Sequence, residues 1–325
     1  MSKADPGNYF EDFALGQEIL HPTPRTVTEG DVALYAALYG GRFALACSDE
    51  FARSLGFRRA PIDDLLVFHL VFGKSVPDIS INAVANLGYA EGKFGVPVYP
   101  GDTLSAKSTV IGLKENSNRQ TGIVYVRTRG INQLSETVVE FVRWVMVRKR
   151  DPNSPAPEAT VPATLDHVKE IASEINFANF QTELSGSPYL WEDYQIGETI
   201  EHVDGMTIEE AEHMMATRLY QNSAKVHFNQ HQFGRRLIYG GHIISLTRSL
   251  SFNGLGNAVK LAAINGGKHI APTYAGDTIY ASSKVLDAWS LRSGVGALRI
   301  ETNAYKNGED HVLSFDYTIL IPSRR

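Results

Sequence analysis

Two stretches in the latter part of the chain hold the side chains best suited to chemistry. Tyr220-Gln221-Asn222-Ser223-Ala224-Lys225-Val226-His227-Phe228-Asn229 carries a carboxamide and, five positions on, an imidazole. About a dozen residues later, Ile238-Tyr239-Gly240-Gly241-His242 opens an apolar run of helical character. Imidazole titrates near neutral pH, so His227 can take and return a proton. A carboxamide hydrogen-bonds a water but cannot accept its proton, which limits Asn222 to positioning. Gly240 and Gly241 let backbone approach closely, and the helix N-terminus they open favours a group gaining negative charge. Plainer readings stand beside these. Asn222 also fits a helix C-cap, because Asn tolerates the left-handed conformation. The two glycines also fit a simple turn, and His242 reads as locally bonded.

The elements that must position these groups occur twice. Phe10-Glu11-Asp12-Phe13-Ala14-Leu15-Gly16 parallels Trp191-Glu192-Asp193-Tyr194-Gln195-Ile196-Gly197, an offset of 181 that holds through Tyr39 and Tyr220. It carries Thr26-Val27-Thr28-Glu29 onto Thr207-Ile208-Glu209-Glu210, and both have the Thr-x-x-Glu form of a capping box. Each box precedes an apolar-periodic helix, Asp31 to Tyr39 and Ala211 to Tyr220. Tyr99-Pro100-Gly101-Asp102-Thr103-Leu104 parallels Tyr274-Ala275-Gly276-Asp277-Thr278-Ile279 at an offset of 175, so loop-scale variation separates the markers. The Gly-Asp pairs read as turns leading into strand-like alternation. The halves close on Phe141 to Val147 and Phe315 to Ile321, rich in β-branched and aromatic residues. Each half is thus expected to run capped helix, polar segment, longer apolar helix, strands: an α+β layer fold with a helix on an antiparallel sheet.

Three prolines in Asp151-Pro152-Asn153-Ser154-Pro155-Ala156-Pro157-Glu158 mark a linker. The expected units are 1–150, a linker over 151–188, and 189–325. A short helix is expected between Asp166 and Ser187, where Val168, Ile171 and Ile175 have near-helical spacing. Two fused copies imply a pseudo-twofold dimer within one chain.

Composition narrows the partners. A net charge of −5 argues against nucleic acid. Cys47 is the only cysteine, so an intrachain disulfide and a cysteine-based metal cluster are excluded. The N-terminus lacks an apolar signal region and no run approaches a membrane span, so a cytoplasmic protein is expected. No His/Asp/Glu grouping has metal spacing.

The copies are not equivalent. Continuing the repeat sets Gly41 and Ala46 opposite Asn222 and His227. The second half is therefore expected to hold the reactive groups and the first to supply pocket walls. The first half keeps Asp63, Asp64 and His69 on its long helix and Asn86-Leu87-Gly88-Tyr89 after it. His21 and His202 match between halves, which argues for scaffold.

At this point the sequence resembles the MaoC-like hot-dog family of R-specific enoyl-CoA hydratases. The motif Asp-x-Asn-Pro-x-His, an Asp two residues on, and a Tyr-Gly or His-Gly turn corresponds here to Asn222, Ala224, Lys225, His227, Asn229, Tyr239 and Gly240. The phrases Tyr239-Gly240-Gly241-His242-Ile243-Ile244-Ser245-Leu246 and Asn82-Ala83-Val84-Ala85-Asn86-Leu87-Gly88-Tyr89-Ala90 are similar to the branch that interconverts mesaconyl-CoA and β-methylmalyl-CoA. The resemblance implies two tandem hot-dog domains, an acyl-CoA thioester substrate, and no cofactor beyond the coenzyme A of the substrate. It also implies a homo-oligomer, with a ring of three double-domain chains one form.

It further implies roles. His227 is the base that activates water, and a backbone N–H at Gly240 or Gly241 holds the thioester oxygen, with Tyr239 on the substrate. The departure is Asn222, where the family has Asp. In mesaconyl-CoA the attacked β-carbon bears a carboxylate, and a second carboxylate nearby would repel it by roughly 1 kcal/mol in water and several times more in a shielded site. An anionic acyl group also calls for a cation. Arg218, Arg235 and Lys225 are near the motif, and Arg42 and Arg236 are preferred. Two other classes remain open: a thioesterase using Asp63 or Asp64, and a non-catalytic acyl-CoA binder.

Overall fold

The computed structural model describes residues 3–324. The first half contributes strands β1 (Glu18–Thr26), β2 (Ala83–Phe94), β3 (Thr103–Glu115), β4 (Thr121–Ile131) and β5 (Thr137–Arg148). The second contributes β6 (Thr199–Thr207), β7 (Lys260–His269), β8 (Thr278–Arg292), β9 (Val295–Lys306) and β10 (Asp310–Pro322). They form one antiparallel sheet in the order β1-β3-β4-β5-β2-β7-β10-β9-β8-β6. Each half has the same five-strand order, and the halves join where β2 pairs with β7, Tyr89 lying opposite Gly267. Each wraps its strands around one central helix, Asp64–Ile79 in the first half and Gly240–Leu250 in the second. Both helices are buried on nearly every side, as a helix enclosed by sheet must be. This is the tandem hot-dog architecture.

The duplication is visible in single contacts. Tyr39 and Tyr220 close the leading helices (Glu29–Tyr39 and Glu210–Leu219), and their hydroxyls hydrogen-bond at 2.7 Å across the pseudo-twofold. His21 and His202 are the one buried residue of their edge strands. Each bonds a serine of the neighbouring strand through Nε2, Ser108 and Ser283, both at 2.7 Å. The scaffold reading holds for both.

Three local expectations are corrected. Thr26 and Thr207 do not cap helices; they end β1 and β6, each bonded at 2.8 Å to the threonine opposite, Thr103 or Thr278. The first leading helix is capped two residues later. Thr28 Oγ1 accepts from the Asp31 amide at 3.3 Å, and the Asp31 carboxylate accepts from the Thr28 amide at 2.8 Å. The second has no side-chain cap. Both halves also begin with a strand that the helix-first reading left out. Finally, residues 166–175 are not helical. Val168 and Ile175 are buried on a non-helical segment whose Val168 amide donates to Asn265 on β7 at 2.9 Å; the short helices of this region come later, a 3-10 turn at Phe177–Asn179 and a one-turn α-helix at Thr182–Ser185. Among the described residues no helix is long and apolar enough to cross a membrane.

Candidate active site

A cavity of about 300 Å³ lies between the halves. The second half supplies Asn222, His227, Tyr239 and Gly240 to its wall, and the first supplies Phe72, Ser80, Asn86 and Arg143. The volume is at the small end for a ligand site and suits an acyl group better than a whole coenzyme.

The Asn222–His227 segment is shaped by the end of the leading helix. Gln221 takes the left-handed conformation (φ 54°). The Gln221 amide donates to Arg218 O at 3.0 Å and the Asn222 amide to Thr217 O at 3.1 Å, the paired bonds of a Schellman stop. The left-handed residue is therefore Gln221, and Asn222 is freed from that role. Asn222 Oδ1 instead accepts from the Ala224 amide at 3.0 Å, which leaves Nδ2 as the donor available to a ligand. A single 3-10 turn, Lys225–His227, then carries the imidazole into the cavity wall. Gly73 of the first central helix makes this possible: a Cβ there would stand 1.7 Å from the Tyr220 carbonyl oxygen. The first half thus admits the backbone that presents Asn222.

His227 is buried, and its Nδ1 bonds the Leu237 carbonyl at 2.7 Å. A carbonyl only accepts, so Nδ1 carries the hydrogen and Nε2 keeps its lone pair. Burial pushes the imidazole down to about 4; the Leu237 bond opposes the shift and His213 adds to it. At neutral pH His227 is an unprotonated base. Tyr239 packs beside it, ring centroids 5.7 Å apart, and N-caps the second central helix. Gly240 heads that helix, so its N–H has no intrahelical acceptor. A Cβ at Gly240 would lie 2.2 Å from the His269 ring, so only glycine fits here. His269 also lines the cavity, held down to about 4 by burial and by His227, and bonds Tyr89 Oη at 3.2 Å.

Other expected residues lie elsewhere. Gly241 is off the cavity wall; the space of its missing Cβ is taken by the Tyr239 and His69 rings. Arg42 stacks on Phe252 at 4.5 Å and Arg236 pairs with Glu210, so neither preferred cation reaches the cavity. Arg235 stacks on Tyr274. Arg218 and Lys225 line a shallow outer depression that shares Asn222 with the cavity. Asp63 caps the first central helix through the Leu65 amide and Asp64 pairs with Lys260, both away from the cavity, which removes the acids a thioesterase reading needs. His242 bonds Tyr39 Oη at 2.9 Å and His69 bonds Ser245 at 3.1 Å, as structural residues do. The cation that does line the cavity is Arg143, which the sequence reading passed over as part of a closing strand. Period-two alternation puts it on the face of Phe141, Val145 and Val147, all buried, and that parity was the available signal. Burial lowers its guanidinium to about 10, so it remains charged at neutral pH.

The family model described as mesaconyl-CoA hydratase matches residues 2–175. The β-methylmalyl-CoA dehydratase of Chloroflexus aurantiacus is 59% identical over 99% of both chains. The mesaconyl-CoA hydratase of Cereibacter sphaeroides is 54% identical over 98% of this chain and 99% of its own. The chain belongs to the mesaconyl-CoA hydratase family. A MaoC domain protein structure from Chloroflexus aurantiacus superimposes over 100% of both chains with a TM-score of 0.98 at 58% identity. A double-hotdog protein of Mycobacterium tuberculosis, 24% identical, covers 98% of this chain and 99% of its own with a TM-score of 0.83 and bears on the fold alone.

In this member of the family the pseudo-equivalent site is closed. Gly41, Phe43, Ala46, Asp63 and Arg248 surround a void of only about 40 Å³. Arg248 lines it and stacks on Phe43 at 3.5 Å.

Proposed function

We propose that this protein is a hydro-lyase that adds water reversibly to mesaconyl-CoA, giving β-methylmalyl-CoA. The observation that carries the reading is His227, an unprotonated imidazole with a fixed tautomer, on the wall of a cavity headed by the free N–H of Gly240. Water gives its proton to His227 Nε2 as its oxygen bonds the β-carbon. The thioester oxygen gains enolate charge and accepts from Gly240 N–H, where the helix dipole supports it. The same Nε2–H then protonates the α-carbon, so the proton taken is the proton returned. Asn222 Nδ2 donates to the water oxygen or the acyl carboxylate without adding a negative charge. The coenzyme arm leaves over Asn222 into the outer depression, where Arg218 and Lys225 meet its phosphates.

The test is to follow the conjugated enoyl-thioester absorbance with mesaconyl-CoA and with crotonyl-CoA while titrating free thiol. The expected result is faster loss with mesaconyl-CoA and no thiol release. Preference for crotonyl-CoA would leave a general enoyl-CoA hydratase. We also propose a cytoplasmic homo-oligomer, a ring of three chains. Outward-facing Leu20 and Val203 on edge strands β1 and β6, 76% and 77% exposed, support an assembly.

A further inference from the structure

Arg143 is a buried charge without a counter-charge. It sits on β5 between β4 and β2, with no exposed surface, its guanidinium 4.4 Å from the Phe72 ring centroid. Its Nη1 donates to Ser80 Oγ and its Nη2 to Ser75 Oγ, each at 2.8 Å. Nε has no acceptor, and among the described residues no carboxylate pairs with it. Burying a cation on two neutral hydroxyls is costly, and structural sites normally supply an anion. The other half shows the contrast. Arg248, buried against Phe43 and near Tyr317, has Asp63 and Asp64 acting on it, besides the Ala258 carbonyl and Ser251.

The neighbourhood of Arg143 is incomplete in the same sense. Asn86, also on the cavity wall, has both carboxamide atoms buried and unbonded. Such a group is expected to find a partner. Ser80 accepts from Arg143, which leaves its hydroxyl hydrogen free to donate and makes it a stronger donor. Val76, Val145 and Val312 also line the cavity, and the Phe72 ring lies 4.4 Å from the Arg143 guanidinium and 5.6 Å from the Tyr239 ring. The wall thus carries a polar group from each half. The second half supplies His227, Asn222 and Gly240; the first supplies Ser80 and Asn86 with Arg143 bonded to Ser80.

We infer that Ser80 and Asn86, under the charge of Arg143, form the carboxylate-binding part of the cavity wall and select a dicarboxylic acyl group. The inference rests on the hydration reading above and specifies its substrate class. Ser80 O–H and Asn86 Nδ2 donate to the carboxylate oxygens, and Arg143 supplies the positive charge through Ser80. All three residues fall within 2–175, the stretch matched by the family model, whereas His227 and Asn222 do not. A neutral acyl group would leave the corner unpaired, which is the physical basis for rejecting it.

The experiment compares kcat/KM for mesaconyl-CoA and crotonyl-CoA in the wild type, Arg143→Met, Arg143→Lys, Ser80→Ala and Asn86→Ala. Arg143→Met is expected to lower the mesaconyl/crotonyl ratio by about 100-fold, with Arg143→Lys recovering part of it. Ser80→Ala and Asn86→Ala are each expected to lower it about 10-fold. In parallel, succinyl-CoA and butyryl-CoA serve as non-reacting inhibitors. The wild type is expected to bind succinyl-CoA at least 10-fold more tightly, and Ser80→Ala and Asn86→Ala to erode that preference, a readout that stands if Arg143→Met fails to fold. A wild type that leaves mesaconyl-CoA untouched overturns the hydration reading. A wild type that hydrates it while the folded variants keep both ratios overturns the carboxylate site alone.

Discussion

Burial keeps the His227 imidazole unprotonated at neutral pH, so the proposed base is in its active form there. His227→Ala is therefore expected to cut hydration by 10²–10⁴-fold with the fold intact, read from enoyl absorbance and circular dichroism. A depressed pKa means that the active form is present above it and lost as pH falls through it. Initial-rate measurements should show kcat/KM on an acid limb near pH 4, and a limb near 6.5 would mean a solvated imidazole. Asn222→Asp is expected to slow mesaconyl-CoA turnover and spare crotonyl-CoA, since it adds a negative charge beside the substrate carboxylate; faster mesaconyl-CoA turnover would refute the charge argument. His227 and Asn222 were legible from the asymmetry of the repeat, which sets Ala46 and Gly41 opposite them. Arg143 was legible only in part: its strand parity with Phe141, Val145 and Val147 marked a buried position but not what it serves. Its distinguishing feature, the missing counter-charge, exists only in three dimensions.

At the scale of elements, the site depends on a helix crossing that the other half permits. Gly73→Ala would drive a methyl into the Tyr220 carbonyl, so the Schellman stop and Asn222 must shift. The expected outcome is a loss of about 1–3 kcal/mol in denaturant unfolding together with reduced kcat, because crowding a packed crossing displaces backbone. Gly-Asp turns and closing strands were readable from local residues. The helix starts were misread because Thr26 and Thr28 both satisfy a capping pattern, and the choice is made by β1 pairing with β3, a contact far along the chain. The segment 166–175 failed for a similar reason. Its apolar spacing matches a helix, but its amide at Val168 is claimed by Asn265.

For the molecule as a whole, burial holds six imidazoles below their ordinary value among the described residues, His202 and His213 included. His69 and His242 are pushed down to about 3, and His227 and His269 to about 4. Unfolding restores ordinary values near 6.5, so between those limits the unfolded chain binds more protons and stability falls as pH falls. Thermal unfolding from pH 7 to pH 4 is expected to show Tm dropping, most steeply below 6.5. Light scattering should give three times the 35.8 kDa chain mass if the proposed ring forms. The repeat made the two-domain plan legible, but the ten-stranded continuity through β2 and β7 was not, because edge-to-edge pairing leaves no spacing in either copy. That seam also separates two heritable tasks. In the proposed reading the residues that move protons lie between 222 and 240, while those that meet the substrate carboxylate lie some eighty to a hundred and forty residues earlier. A mutagenesis library confined to Ser80, Ala83, Val84, Asn86 and Val145 can therefore recast which acid is processed while leaving the reaction step untouched. Fusion turned a symmetric pair into an enzyme with an exchangeable mould.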